Sequence, residues 1–239
     1  MNGLQIERLG EDALLLRLGA RIDPALNARV HALAAAIRAR RPPWLVDIVP
    51  AHATLALFVD ADMIDAADPH GDAPPLARAE DWLRAQAFDP DPGSTPVDVI
   101  EPAVIPVRYG GALGPDLEAI AAGAGMDLEA AIALHAGTHY RVAMLGFAPG
   151  FPYLAGLDER LAAPRRATPR VRVAGGSIGI GGAQTGIYPR EGPGGWNIIG
   201  RTPLRLFDPR RDPPCLLAPG QRVRFRAIGE AEFERLAAA

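Results

Sequence analysis

Gly175-Gly176-Ser177-Ile178-Gly179-Ile180-Gly181-Gly182-Ala183-Gln184-Thr185-Gly186-Ile187-Tyr188-Pro189 decides the fold class of this chain. Apolar residues stand two apart, and Gly or Pro interrupts them every few positions, so the backbone is extended in short runs joined by tight turns. The same texture begins at Gly146 and continues toward the C terminus, where Val223 and Phe225 alternate with Arg222, Arg224 and Arg226. Many short strands with frequent turns predict a β-barrel or a β-sandwich. Upstream, Val104-Ile105-Pro106-Val107 reads as a strand, Pro115 to Ala122 as a short helix, and Asp127 to His135 as a second helix closed by Gly137. Glu230 to Ala238 can form a closing helix.

The N-terminal part is written differently, dense in Ala, Leu and Arg. Leu4 and Ile6, then Leu14, Leu16 and Leu18 beyond the turn at Gly10-Glu11-Asp12, have the period of two of a strand pair. Asp23-Pro24 is a helix cap followed by a first-turn proline, and Leu26, Val30, Leu33 and Ile37 fall on one helical face that must end before Pro42-Pro43. Val46 to Val49 and Thr54 to Val59 give two more strands, Asp60 to Pro74 a mobile loop, and Pro75 to Ala87 a last helix. The order ββαββα predicts an α+β sandwich with helices over one sheet face. Three prolines and no apolar anchor in residues 89–96 make a linker. The expected organisation is therefore an α+β domain over 1–88, a linker over 89–96 and a β-rich domain over 97–239.

Composition excludes several classes of function. The 239 residues carry 25 basic and 28 acidic side chains, a net −3 that leaves no electrostatic footprint for nucleic acid or an anionic membrane. A single cysteine, Cys215, makes no internal disulfide, and no thiolate set for structural zinc is present. No stretch approaches a membrane span, and the first residues are not a cleavable apolar segment, so a soluble cytoplasmic protein is expected. Every basic residue is arginine, which removes lysine as nucleophile or proton carrier.

Three motifs carry chemistry only weakly. Gly175-Gly176-Ser177-Ile178-Gly179 matches the nucleophile elbow, but the glycines after Ser177 are poor helix starters, so a strand or turn serine is the better reading. His135 and His139 have zinc-pair spacing, yet Gly137 takes them off one helical face, which favours capping or packing. Gly181 and Gly186 have phosphate-loop separation, but Ile187-Tyr188 stands where a lysine and a hydroxyl residue are required. A polar set is more informative. Arg170 and Arg172 share a strand face opposite Val171 and Val173, and arginine forks suit carboxylate or phosphate, although a solvated face with surface ion pairs is also compatible. Gln184 to Pro189 and Gly192-Pro193-Gly194-Gly195-Trp196 add hydrogen-bonding groups, aromatics and bare backbone that a ligand can approach, or that tight barrel corners require.

At these residues a resemblance becomes specific. Gly146-Phe147-Ala148-Pro149-Gly150-Phe151-Pro152-Tyr153-Leu154, Thr168-Pro169-Arg170, Gln184 to Pro189, Pro193-Gly194-Gly195-Trp196 and Gly200-Arg201-Thr202-Pro203 resemble the KipI family, also called the allophanate hydrolase subunit 1 family. Leu26 to Val30, Asp47 to Pro50, Pro106 to Leu117 and Phe207 to Pro209 extend the likeness over nearly the whole chain. Two positions depart from it: Ala174-Gly175-Gly176 where the family usually has Pro-Ala-Gly, and Gly192 where it usually has serine. The serine-elbow match thus arises from a departure.

The resemblance implies a small N-terminal α/β sandwich and a C-terminal cyclophilin-like β-barrel. It also implies the B subunit of an ATP-dependent 5-oxoprolinase, which opens 5-oxo-L-proline to L-glutamate together with an A subunit and a KipA-like C subunit. ATP would be used by the complex, with neither an ATP motif nor a metal site evident in this chain. Residue chemistry then places Arg166, Arg170, Gln184, Thr185 and Tyr188 in a substrate cleft shared with the KipA-like partner, with Phe147 and Trp196 as apolar walls. Arg170 would orient an anion and Gln184 would hold an amide or its oxyanion. The family also implies two rivals, a protein-binding inhibitor of a sensor histidine kinase and half of a biotin-dependent urea carboxylase-type carboxyltransferase, although no biotinyl-lysine motif occurs here.

Overall fold

The computed structural model describes residues 5–68, 71–86, 88 and 101–238. The chain divides into two compact units, Met1–Asp98 and Val99–Ala239, and the expected linker at 89–96 lies outside the described residues.

In the first unit, β1 (Gln5–Arg8), β2 (Ala13–Arg17), β4 (Thr54–Val59) and β3 (Leu45–Pro50) form one antiparallel sheet in that order. Helix α1 (Pro24–Ala39) starts where its cap demands: the Asp23 carboxylate accepts the Leu26 N–H at 2.8 Å and Pro24 opens the first turn. Its Val30, Leu33 and Ile37 are buried with Leu14, Leu16, Leu55 and Leu57 of the sheet, as their periods of 3.6 and 2 require. Helix α3 (Pro75–Ala85) adds Leu76, Ala79 and Leu83 to that core, and Trp82 meets Trp44 edge-on at 5.4 Å.

The expectation of a loop from Asp60 to Pro74 is corrected. Residues Ala61–Ala67 form a helix, α2, capped by the Asp60 carboxylate on the Met63 N–H at 3.1 Å and packed through the buried Ile64. With one buried apolar residue its hydrophobic period is too faint to register, although the Asp cap is the same device that opens α1.

The second unit is a closed barrel with strand order β10-β7-β6-β13-β5-β12-β9, which settles barrel against sandwich. Its strands are β5 (Ala103–Tyr109), β6 (His139–Leu145), β7 (Pro152–Ala155), β9 (Ser177–Gly181), β10 (Gln184–Ile187), β12 (Asn197–Arg201) and β13 (Arg222–Ala227). β13 runs parallel to β5 with Phe225 opposite Ile105, while its other neighbour β6 is antiparallel. Closure leaves the sheet without free edges. Ile105, Val142, Leu154, Ile178, Ile180, Val223 and Phe225 fill the interior, and burying a side chain of that size stabilises the fold by roughly 1.5–3 kcal/mol. A two-stranded ribbon of β8 (Arg170–Val173) and β11 (Gly192–Gly194) lies outside the closed set.

Helices α4 (Leu117–Gly123) and α5 (Leu128–Gly137) connect β5 to β6, and α6 (Glu230–Ala237) follows β13. From α5, the buried His135 stacks on Phe225 at 4.7 Å. Its Nδ1 lies 2.8 Å from the Tyr109 hydroxyl and its Nε2 lies 3.1 Å from Thr185 Oγ1, which donates to the Gly179 carbonyl at 3.0 Å. Both ring nitrogens are therefore satisfied inside protein, and burial pushes the imidazole pKa down to about 3. His135 is a packed polar residue, as its spacing suggested, and His139 opens β6 beyond the end of α5.

Candidate functional site

A second, smaller core lies where glycines of β9 and β10 face outward from the barrel. Along β9, Ile178 and Ile180 belong to the barrel core and Gly179 and Gly181 alternate with them. A Cβ on Gly181 would stand 2.6 Å from the Trp196 indole nitrogen, and one on Gly186 would stand 3.1 Å from the Phe151 ring. Absent side chains thus let aromatic rings lie against the strands. Phe151, Val173, Tyr188, Trp196 and Ile198 form this core, with Phe151 edge-on to Tyr188 at 5.2 Å and to Trp196 at 5.6 Å.

Over it opens a cleft of about 320 Å³ lined by Phe147, Phe151, Tyr153, Arg165, Arg166, Pro169, Tyr188, Pro193, Gly194, Gly195 and Trp196. Phe147 is 68% exposed and holds φ +66°, a left-handed backbone that costs a non-glycine residue about 1–3 kcal/mol. The turn before β7 tolerates this because the ring meets Phe151 at 5.5 Å and Tyr188 at 6.4 Å, both edge-on. The Arg165 guanidinium lies 5.8 Å from the Trp196 ring. Burial raises the Tyr188 hydroxyl above its ordinary value despite the Trp196 backbone and the charges of Arg165 and Arg170, so it stays neutral.

Four of the seven residues expected in a substrate cleft share this one: Phe147, Arg166, Tyr188 and Trp196. The other three are placed elsewhere. Thr185 is fully buried and faces His135 inside the barrel, because on β10 it alternates with the outward Gly186. Gln184, its neighbour at the β9 hairpin, is buried and lies off the cleft walls.

Arg170 is the third. Its two terminal nitrogens each lie 2.8 Å from an Asp116 oxygen, a bidentate pair, so its fork is committed within the protein. Arg166 gives the same carboxylate a single contact at 3.1 Å, and the Ile198 N–H completes its shell at 2.6 Å. Burial alone would raise the Asp116 pKa, but the hydrogen bonds of Arg170 and Ile198 and the two guanidinium charges hold it below the usual range. Arg172, two residues along the same strand, pairs instead with Glu191 at 2.7 Å on the surface. Sequence reasoning missed Phe151, Tyr153, Arg165 and Pro169 on the wall, and Asp116 behind it.

The motifs weighed for other chemistry now have definite places. Ser177 is a buried residue opening β9, and β10 follows it through a hairpin at Gly182 instead of the helix an elbow requires. The same hairpin contains Gly181 and Gly186, which seat aromatic rings and form no phosphate cradle. The titratable groups on the cleft wall are Tyr and Arg, and neither is a proton acceptor near neutrality. The aromatic rings and guanidinium groups of this wall suit a ring and a negative group, and among the described residues that line it there is no general base.

Residues 4–217 match the family described as carboxyltransferase domain, subdomain C and D, and the chain belongs to it. Its relatives carry a narrower name. Over 233 residues it is 41% identical to the B subunit of 5-oxoprolinase from Bacillus subtilis (strain 168), covering 96% of this chain and 95% of that one. Over 218 residues it is 42% identical to the protein of the same name from Escherichia coli O157:H7, covering 91% and 93%. The crystal structure of TTHA0988 superposes with a TM-score of 0.74 at 37% identity over 91% of this chain. The chain spans 40% of the length of that solved protein. The likeness drawn from the glycine and proline motifs is borne out, as is the α+β fold with its barrel.

Proposed function

We propose that this chain is the B subunit of an ATP-dependent 5-oxoprolinase that opens 5-oxo-L-proline to L-glutamate in a cytoplasmic complex with the A and C subunits. The near full-length identity to proteins that bear the name of the 5-oxoprolinase B subunit carries this reading. The cleft supports it, because 5-oxo-L-proline is a small ring bearing one carboxylate. Arg165 and Arg166 would take the carboxylate, while Phe147 and Trp196 would cover the ring faces and exclude water. The neutral Tyr188 hydroxyl would donate a hydrogen bond to the lactam carbonyl.

ATP, where the complex binds it, would activate the amide oxygen by phosphorylation and make the carbonyl a better electrophile. No step is assigned to ATP on this chain, whose glycine hairpin is filled by aromatic rings. With no base among the described residues of the cleft wall, proton transfer would fall to a group beyond it, and a protein acting in a complex can receive one from another subunit. Purified chain alone, with its KipA-like partner, and with both partners should release glutamate from 5-oxo-L-proline with ATP only in the complete mixture. Folded complexes with no turnover would sink the reading. In the active mixture, Arg166→Ala is expected to raise KM for 5-oxo-L-proline about tenfold or more, as for loss of a roughly 1.5–3 kcal/mol charged hydrogen bond.

The family description favours one other reading, half of a biotin-dependent carboxyltransferase. Bicarbonate-dependent carboxylation by the chain with a biotin carboxylase and a biotin carrier, in place of glutamate release, would establish it.

A further inference from the structure

We infer that Asp116 is a positioning residue for the cleft: its carboxylate, saturated by Arg170, holds Arg166 through one contact and keeps the rest of that guanidinium for the ligand's negative group. This rests on reading the cleft as the 5-oxo-L-proline site.

The residues before α1, α2 and α5, namely Asp23, Asp60 and Asp127, each turn their carboxylate onto a backbone N–H of their own helix. Asp116 occupies the same place before α4 and makes no such bond. Its backbone is helical where the other three are extended, so its carboxylate is turned from its own helix toward distant partners. What it joins comes from three separate segments: Ile198 on β12, Arg170 at the start of β8, and Arg166 in the run before it.

The stoichiometry of the contact is informative. Oδ1 accepts from Arg170 at 2.8 Å and Arg166 at 3.1 Å, and Oδ2 accepts from Arg170 at 2.8 Å and the Ile198 N–H at 2.6 Å. A carboxylate has about four lone-pair positions, and all are filled. Without Arg170, the same carboxylate could take both arms of Arg166 and draw it off the cleft wall. With Arg170 in place, Arg166 spends one terminal nitrogen and keeps its remaining donors uncommitted among the described residues. Its own main chain is anchored at the cleft by an N–H to the Gly195 carbonyl at 2.8 Å, so the freedom left to Arg166 is that of its side chain.

In the reconstituted complex, Asp116→Asn should raise KM for 5-oxo-L-proline about tenfold and leave kcat within about threefold, a split that a general loss of fold does not give. Asp116→Asn combined with Arg166→Ala should be no worse than Arg166→Ala alone, because both remove one interaction. Effects that multiply in the double variant, or a kcat loss with KM unchanged, would overturn the inference. Should Asp116→Asn not fold, Arg170→Gln carries the same expectation, since that side chain is partly exposed and its loss frees Asp116 to capture Arg166. If Arg166→Ala itself leaves KM unchanged, the cleft assignment fails instead. Independently of turnover, a crystal structure of either variant should show Arg166 displaced from the cleft wall, and an unmoved Arg166 would overturn the proposal.

Discussion

Acidification from pH 6.5 toward 3 is expected to cost the barrel about 5 kcal/mol through one residue, His135. In the folded chain the imidazole lies between Tyr109, Thr185 and Phe225, where burial pushes its pKa down to about 3. An unfolded chain binds that proton near 6.5, so between the two values the unfolded state carries the extra proton. The contribution is fully present above pH 6.5 and is lost progressively as pH falls to the folded value. Chemical denaturation of wild type and His135→Phe at several pH values between 7 and 4.5 measures it. Wild type should lose about 3 kcal/mol more than the variant over that interval, and equal slopes would show that the ring is not held neutral.

The second large effect concerns the aromatic layer on the glycine face. Trp196→Ala is expected to cost about 3–5 kcal/mol, the usual cost of deleting a large aromatic ring from a core. Gly181→Ala alone should cost about 1–3 kcal/mol, because its new methyl would stand 2.6 Å from the indole nitrogen. In a Trp196→Ala background the three atoms nearest that methyl are gone, so Gly181→Ala should then cost much less. Thermal melts of the two single variants and the double one give the coupling directly, and additive effects would show that Trp196 does not lie on Gly181 in solution.

Much of the fold was legible because its signals are local. The Asp23-Pro24 cap, the alternation of Val223 and Phe225 with arginines, and the stop before Pro42-Pro43 each depend on residues a few positions apart. Helix α2 escaped because only Ile64 of its seven residues is buried, leaving a cap without a hydrophobic period to confirm it. The cleft was half legible. Trp196 and Tyr188 stand in runs whose glycines mark close approach, and Phe147 stands in a turn-rich motif. Thr185 and Gln184 lie in the same runs, but alternation along β10 turns Thr185 to the interior, and which strand face is outward is fixed only when the barrel closes.

Asp116 was the least visible. An aspartate before a helix has a sufficient local explanation as a cap, and nothing within a few residues reveals that its partners lie 50 and 54 positions away. The same long-range bond explains why Arg170, chosen for its fork, turned out to have that fork occupied.

The makeup of the cleft wall has a consequence for the proposed complex. Among the described residues that wall carries neither carboxylate nor imidazole, and burial raises its Tyr188 hydroxyl above the ordinary tyrosine value. If turnover in the proposed complex gave a bell-shaped pH profile, that profile would therefore report on acids and bases outside this wall. Under the proposed function, the chain would be a silent background against which the proton chemistry of its partners can be titrated.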